Sequence, residues 1–127
     1  MREFDDFMEI VRKIRRNCPW DSVQTHESLK KYLLEESNEV LEGIDRLSKE
    51  HDSTNLCEEL GDVLFQVALH SVIAEEEGLF TVEDVIRDVS SKMKFRHPKI
   101  FSPEDKQLAG LSWEELKQLE KATEEEP

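Results

Sequence analysis

Only two cysteines, four glycines and four prolines occur among the 127 residues. Two thiols, Cys18 and Cys57, do not make a disulfide framework, so both are expected to be free. So few turn formers disfavour a β-sandwich or barrel. No apolar run approaches the ~20 residues of a membrane-spanning helix. The stretch from Met1 to Asp6 is too acidic and polar for a secretory leader. Basic charge is scarce as well: 17 Lys and Arg stand against 30 Asp and Glu, a net charge of −13. That balance argues against duplex DNA or an anionic membrane as partner, since both require a basic face. A small phosphorylated ligand stays open, because a metal ion can mediate the contact. The length suits one domain with one hydrophobic core. The expectation is a soluble cytoplasmic protein that binds neither a nucleic-acid polymer nor a membrane.

What is present is helical periodicity. Phe4, Phe7, Met8, Val11 and Ile14 recur at helical spacing and predict a helix over 3–16. Pro19 breaks it. Thr25 is a candidate N-cap for a second helix reaching Ser48. A third is predicted from Asn55 to Glu77, stopping near Gly78. Thr81-Val82-Glu83-Asp84 reads as a capping box for a fourth helix, which His97-Pro98 ends. Ser102-Pro103-Glu104-Asp105 is expected to open a short turn of helix, and Ser112-Trp113-Glu114-Glu115 a last helix to Lys121. No repeat and no alternating strand pattern occurs. The fold class is all-α, a bundle of about four main helices: one domain over 1–121 and a charged, frayed tail over 122–127.

Several residues do not fit a simple bundle. Successive helical residues lie about 100° apart, so Leu29, Leu33, Val40, Ile44 and Leu47 share one stripe, and Glu36 falls about 20° from its middle. Glu39 sits on its shoulder and Glu35 further round. A carboxylate on a core face must be paired, hydrogen-bonded or metal-bound, and no Lys or Arg lies one turn away on that face. The third helix repeats the pattern. Leu56, Leu60, Val63, Val67 and Ala74 form its stripe, flanked by Glu59, Asp62, Gln66 and His70. Glu59 and Asp62, three apart, face the same side. A short loop joins the two helices, so they are expected to pack antiparallel and to oppose Glu36/Glu39 to Glu59/Asp62. Four carboxylates brought together repel unless a cation sits among them. Oxygen ligands without His or Cys select Mg²⁺, Mn²⁺ or Ca²⁺ over Zn²⁺. The bland alternative, a solvated acidic face, suits Glu35, Glu42, Glu58 and Glu75–Glu77 better than Glu36.

With these residues placed, a family resemblance emerges. Glu35-Glu36-Ser37-Asn38-Glu39, followed after nineteen residues by Glu59-Leu60-Gly61-Asp62, resembles the Glu-Glu-x-x-Glu…Glu-x-x-Asp signature of the MazG family. Its flanks agree: Cys18-Pro19-Trp20-Asp21, Gln24-Thr25-His26, Gly61-Asp62-Val63-Leu64-Phe65-Gln66-Val67, Glu76-Glu77-Gly78 and Arg96-His97-Pro98. The resemblance runs from Phe7 to Leu119. Many MazG proteins carry two such domains in tandem, whereas this chain holds one. Membership implies an all-α nucleoside triphosphate pyrophosphohydrolase, cleaving between the α and β phosphates to give the monophosphate and pyrophosphate. It implies Glu36, Glu39, Glu59 and Asp62 as ligands of Mg²⁺, with Mn²⁺ as a substitute, and Glu35 as a further ligand or a general base. In the same reading Glu35 and Glu39 are the catalytic carboxylates. No P-loop is present, so metal and side chains must hold the phosphates.

Eight of the 17 basic residues fall in two windows: Arg12, Lys13, Arg15 and Arg16, then Lys92, Lys94, Arg96 and Lys99. No Asp or Glu occurs from Ser90 to Pro103. Lys92, Arg96 and Lys99 are candidate phosphate contacts, against the alternative of positive helix ends that complement the macrodipole. Arg12–Arg16 fit the dipole reading better. By resemblance, Trp113 and Lys117 form a Trp-Glu-x-x-Lys context in which the Trp stacks on a base; the alternative is a packing anchor. Trp20, His26, His70, His97, Cys18 and Cys57 read as structural, Cys57 as a buried thiol. The third helix is apolar almost all round between Gly61 and Ile73, which calls for cover on every side and predicts a homodimer or homotetramer. Two other readings compete: a non-catalytic helical module that binds a nucleotide or a protein, and a di-iron bundle. The complete acidic set weighs against the first. The lack of Glu-x-x-His pairs weighs against the second.

Overall fold

The computed structural model describes residues 2–124, without the side chain of Glu124. Most of the acidic Glu124–Glu126 run, and the end of the expected tail at 125–127, lie outside the described residues. The described residues form seven α-helices and one 3-10 turn, with no strand among them. They are α1 (Arg2–Asn17), α2 (His26–Glu50), α3 (Thr54–Glu76), α4 (Val82–Phe95), α5 (Pro98–Phe101), α6 (Lys106–Ala109) and α7 (Trp113–Glu124). The four long helices, α1 to α4, are those that periodicity predicts, each within two residues at either end. The chain divides into two compact units, Met1–Val82 and Glu83–Pro127.

In the first unit, α1 carries Glu3 and Asp5 in its first turn and Arg15 and Arg16 in its last, matching the helix dipole. Thr25 caps α2 as its sequence predicts. Its hydroxyl accepts from the Ser28 amide at 3.0 Å, while Ser28 Oγ accepts from the Thr25 amide at 2.8 Å. α2 ends at His51, which adopts the left-handed conformation with φ 55°. α3 gives way to Gly78 at φ 72°, a conformation that glycine adopts without strain.

The α2–α3 pair is antiparallel. Gly43 faces Leu56, Glu36 and Glu39 face Glu59 and Asp62, and His26 faces His70, in reverse chain order. Gly43 permits the closest approach: a Cβ there would stand 3.0 Å from the Leu56 Cα, against backbone that cannot yield cheaply. At the far end the His26 and His70 rings meet through their Nδ1 atoms at 2.8 Å, and His26 Nε2 donates to Glu77 at 2.9 Å. Burial, then the charge of His26, lowers the His70 pKa and favours its neutral form.

The core of this unit joins Met8 and Val11 of α1, Leu29 of α2, and Ala68, Leu69, Val72 and Ile73 of α3, with Val82. Burial of Leu29 or Leu69, both fully inaccessible, contributes about 1.5–3 kcal/mol each. Arg15 ties the connection after α1 to the end of α3. Its Nη1 donates to the carbonyls of Asp21 (2.6 Å) and Gln24 (2.9 Å), while Nε and Nη2 meet the Glu76 carboxylate. That role is more specific than a dipole complement.

The apolar stripe of α2 differs from its expected burial. Leu33, Ile44 and Leu47 are exposed, as are Leu60, Leu64 and Val67 of α3. Only Leu29 and Gly43 of α2 are buried. Helical periodicity identifies an apolar face correctly but does not say whether the same chain covers it. Cys57 is likewise exposed rather than buried. Trp20 packs its ring edge-on to Tyr32 at 5.4 Å and remains 47% exposed.

In the second unit, Pro98 does not simply end α4. α4 stops at Phe95, and Pro98 opens α5 from the first helical position, where its missing N–H costs nothing. Ser102-Pro103 begins no helix. Asp105 caps α6 instead, accepting from the Leu108 amide at 3.1 Å. The Ser112–Glu115 capping box forms as predicted, with reciprocal bonds of 2.9 and 3.1 Å. Hydrogen bonding from the Ser112 amide, then from its side chain, holds the Glu115 carboxyl below its usual range. Pro98 and Leu116 are buried in this unit.

Candidate metal centre and nucleotide-binding residues

Glu36 and Glu39, three apart on α2, share a face, as do Glu59 and Asp62 on α3. The antiparallel packing brings the four together. One carboxylate oxygen from each lies within 4.8 Å of the other three. Glu36 and Glu59 are half-buried; Glu39 and Asp62 are exposed. Glu36 Oε2 and Glu59 Oε2 are shut off from water, and neither has a hydrogen-bond partner. Such atoms are costly as they stand, because an ionised carboxylate accepts only and no donor reaches them.

The electrostatics record that conflict. The Glu59 carboxyl is pushed up to about 7, chiefly because it can share a proton with Glu39, then by burial and by the charges of Glu39, Asp62 and Glu58. Glu36 is raised too, first by burial, then by Glu39 and Asp62. A proton relieves such a cluster in part; a divalent cation relieves it further. The donor set is all oxygen, with no His or Cys, as Mg²⁺ and Mn²⁺ prefer. The residues present therefore fit a hard divalent cation. Glu35 is exposed and lies outside this quartet, though its charge adds to the upward push on Glu36.

The remaining sequence candidates belong to the second unit. Lys92 lines a cleft of about 410 Å³ together with Asp88, Ser91 and Glu120. Arg96 is not free. Its Nη2 donates to Glu120 Oε1 at 2.8 Å, and its Nε lies 3.4 Å from Oε2. The same guanidinium stands over the Trp113 ring, 5.3 Å from its centroid. His97 meets Trp113 edge-on at 5.5 Å and is fixed by a 2.6 Å contact between Nδ1 and the Met93 carbonyl. A second cleft, about 340 Å³, lies beside Trp113 between Pro98, Ile100, Leu111 and Leu116. Lys117 is only loosely engaged, 3.8 Å from Glu114 at the surface.

Sequence reading missed Glu120. It stands 24 residues from Arg96, and one more Glu on an acidic helix carries no local signal. The buried Gln66 was noted only as a flanking residue; its Oε1 is an orphan acceptor.

The fold and the acidic quartet together define an all-α domain with a carboxylate cluster that could bind a metal ion. Residues 24–101 match the family described as MazG nucleotide pyrophosphohydrolase domain. The chain belongs to that family. It is 45% identical over 120 residues to the nucleoside triphosphate pyrophosphohydrolase/pyrophosphatase MazG of Thermotoga maritima, covering 93% of this chain and 45% of that protein. It is 38% identical over 128 residues to the nucleoside triphosphate pyrophosphohydrolase of Escherichia coli K12, covering 96% of this chain and 47% of that one. It is 48% identical over 128 residues to the uncharacterized protein YabN of Bacillus subtilis, covering 97% of this chain and 25% of that one. The chain thus spans between a quarter and a half of these relatives. The matched span includes the whole acidic quartet, Lys92 and Arg96, but ends before Trp113, Lys117 and Glu120.

Proposed function

We propose that this chain is a Mg²⁺-dependent hydrolase of nucleoside triphosphates, ribo or deoxy, yielding the monophosphate and pyrophosphate. The convergence of Glu36, Glu39, Glu59 and Asp62, with two buried oxygens lacking any partner, carries the reading. The names of the Thermotoga and Escherichia coli relatives support the reaction.

Glu36, Glu39, Glu59 and Asp62 would hold Mg²⁺, with Mn²⁺ as a substitute. When bound, the ion supplies charge neutralisation for phosphate oxygens and a lowered pKa for water. Glu35 and Glu39 are the carboxylates assigned to taking the proton of the attacking water. Glu39 suits that role because it already stands where it can share a proton with Glu59. Lys92, Arg96, Trp113 and Lys117 are assigned to the substrate, Lys92 and Lys117 as cations for phosphate and Trp113 as the surface on which the base stacks. Positioning and electrostatics supply most of the rate in such phosphoryl chemistry.

The exposed Leu33, Ile44, Leu47, Leu60, Leu64 and Val67 are assigned to contact with a second copy of the chain. A sedimentation mass of one chain would contradict that assignment. A cytoplasmic setting suits the two free thiols; no helix among the described residues is long and apolar enough to cross a membrane.

The test is product analysis with each NTP and dNTP in the presence of Mg²⁺. Monophosphate plus pyrophosphate is expected, with no turnover after chelation. Diphosphate plus phosphate, or no turnover with any nucleotide, would overturn the reading.

A further inference from the structure

We propose that Glu120 is a positioning residue: it locks the Arg96 guanidinium onto the Trp113 ring, so that Arg96 belongs to the nucleobase platform and is not a phosphate ligand. The inference rests on the reading of Trp113 as the base-stacking residue of a nucleotide hydrolase.

Three observations carry it. First, the Arg96–Glu120 pair is well made and sheltered. It has a 2.8 Å contact and a second at 3.4 Å, and the two side chains are 15% and 14% exposed. Glu120 takes Nε and one Nη2 donor, so a phosphate reaching Arg96 meets a guanidinium whose charge is already matched by a sheltered carboxylate. Second, the guanidinium lies over the indole, 5.3 Å from the ring centroid, within the range of a cation–π contact. One face of Trp113 is therefore taken, and His97 meets the ring edge-on. Third, a cleft of about 340 Å³ remains beside Trp113, walled by Pro98, Ile100, Leu111 and Leu116, with Lys99 also on its lining. The apolar walls beside one aromatic surface suit a flat base, with Lys99 as the cation nearest to hand for a phosphate attached to it.

The pair spans two clefts. Glu120 lines the one that holds Lys92, and Arg96 lines the one that holds Trp113. Among the described residues Lys92 is in no ion pair, so Lys92, on the lining of the neighbouring cleft, is the cation assigned to phosphate in place of Arg96. With its charge already met by Glu120, Arg96 acts by fixing the tilt of the indole.

The test uses the full chain carrying Trp20→Phe, so that Trp113 is the sole indole among the two tryptophans. Trp113 fluorescence is titrated with AMP, GMP, CMP and UMP, and the tightest binder is kept. Pyrophosphate affinity is measured separately, as product inhibition of turnover. Glu120→Ala is expected to weaken monophosphate binding on the order of tenfold while pyrophosphate inhibition stays unchanged. KM for the triphosphate should rise by more than kcat falls, the pattern of lost ground-state binding. Glu120→Gln, which still accepts from the guanidinium but lacks the charge, should fall between wild type and Ala. Should the Ala variant lose its helical circular dichroism, the Gln variant decides alone.

A change in pyrophosphate inhibition with monophosphate binding intact would make Arg96 a phosphate ligand and overturn the proposal. No change in either affinity would reduce the pair to a structural tie and overturn it equally. Failure of the underlying reading looks different. The wild-type chain itself would then neither bind nor hydrolyse nucleotides, and the role for Glu120 would fall with it.

Discussion

Asp62→Asn and Glu39→Gln are each expected to abolish nucleoside triphosphate hydrolysis while leaving the helices intact. The argument starts from geometry. Both carboxylates supply one of the four oxygens that lie within 4.8 Å of one another, and both are exposed. Neither is part of the buried core, which is built from α1, the start of α2 and the second half of α3. Replacing either carboxylate by its amide keeps shape and removes charge, so the fold loses nothing; relief of repulsion inside the quartet favours it. The ion loses a charged ligand. Changes one shell further from a metal already cost 10–100-fold, so loss of a direct ligand should cost at least about a hundredfold in kcat/KM. Circular dichroism at 222 nm should match wild type. Turnover within a few-fold of wild type in either variant would remove that residue from the metal centre.

Metal-free stability should fall as pH rises through the weakly acidic range, and Mg²⁺ should reverse that fall. Glu59 has a value of about 7 in the folded chain against 4.5 for the free side chain. Below pH 4.5 both states are protonated, and the site costs nothing. Between 4.5 and 7 the unfolded chain ionises while the folded site resists, so stability is lost as pH rises. Above 7 the loss is complete. Glu36 is raised also and has the same sign. Glu115 and Glu120 lie below their usual range and act oppositely, with stability lost as pH falls, but they are common to wild type and a Glu59→Gln variant and cancel in the difference. The expected result is equal Tm for the two proteins near pH 4.5 and a higher Tm for metal-free Glu59→Gln at pH 8. Mg²⁺ at a hundred times its Kd should add about 2.7 kcal/mol to wild type at pH 8. It should add little at pH 5, where protons compete for the same oxygens. Thermal unfolding at the two pH values, with and without Mg²⁺, checks all of this. A wild-type Tm indifferent to Mg²⁺ at pH 8 would count against the site.

Much of this was legible in the sequence because it is local. Helix periods, the Thr25 and Ser112 caps and the three-residue spacing of Glu36/Glu39 and Glu59/Asp62 all depend on neighbours along the chain. A short loop between α2 and α3 sufficed to predict that the two acidic pairs oppose each other, and in the structure they do. What stayed hidden depends on distant partners. Nothing near Arg96 announces that Glu120 will bind it, because the turn after α4 and helix α7 bring the two together only in the folded unit. Arg15, read as a helix-dipole residue, meets Glu76 across 61 positions and draws in the carbonyls of Asp21 and Gln24. The exposed face of α2 is instructive in a different way. Leu33, Ile44 and Leu47 follow the helical period as buried residues do, yet remain accessible, since periodicity marks which side is apolar and not what covers it. Around Pro98 the local rules themselves conflicted. A proline can stop a helix or start one, and here it starts α5.

The most direct test of the account is an anomalous difference map from crystals of the protein grown with Mn²⁺. A peak is expected among Glu36, Glu39, Glu59 and Asp62, with carboxylate oxygens at about 2.1–2.3 Å from it. A catalytically active crystal with no peak there, or with its Mn²⁺ held by other residues, would contradict the central claim that this quartet is the metal centre.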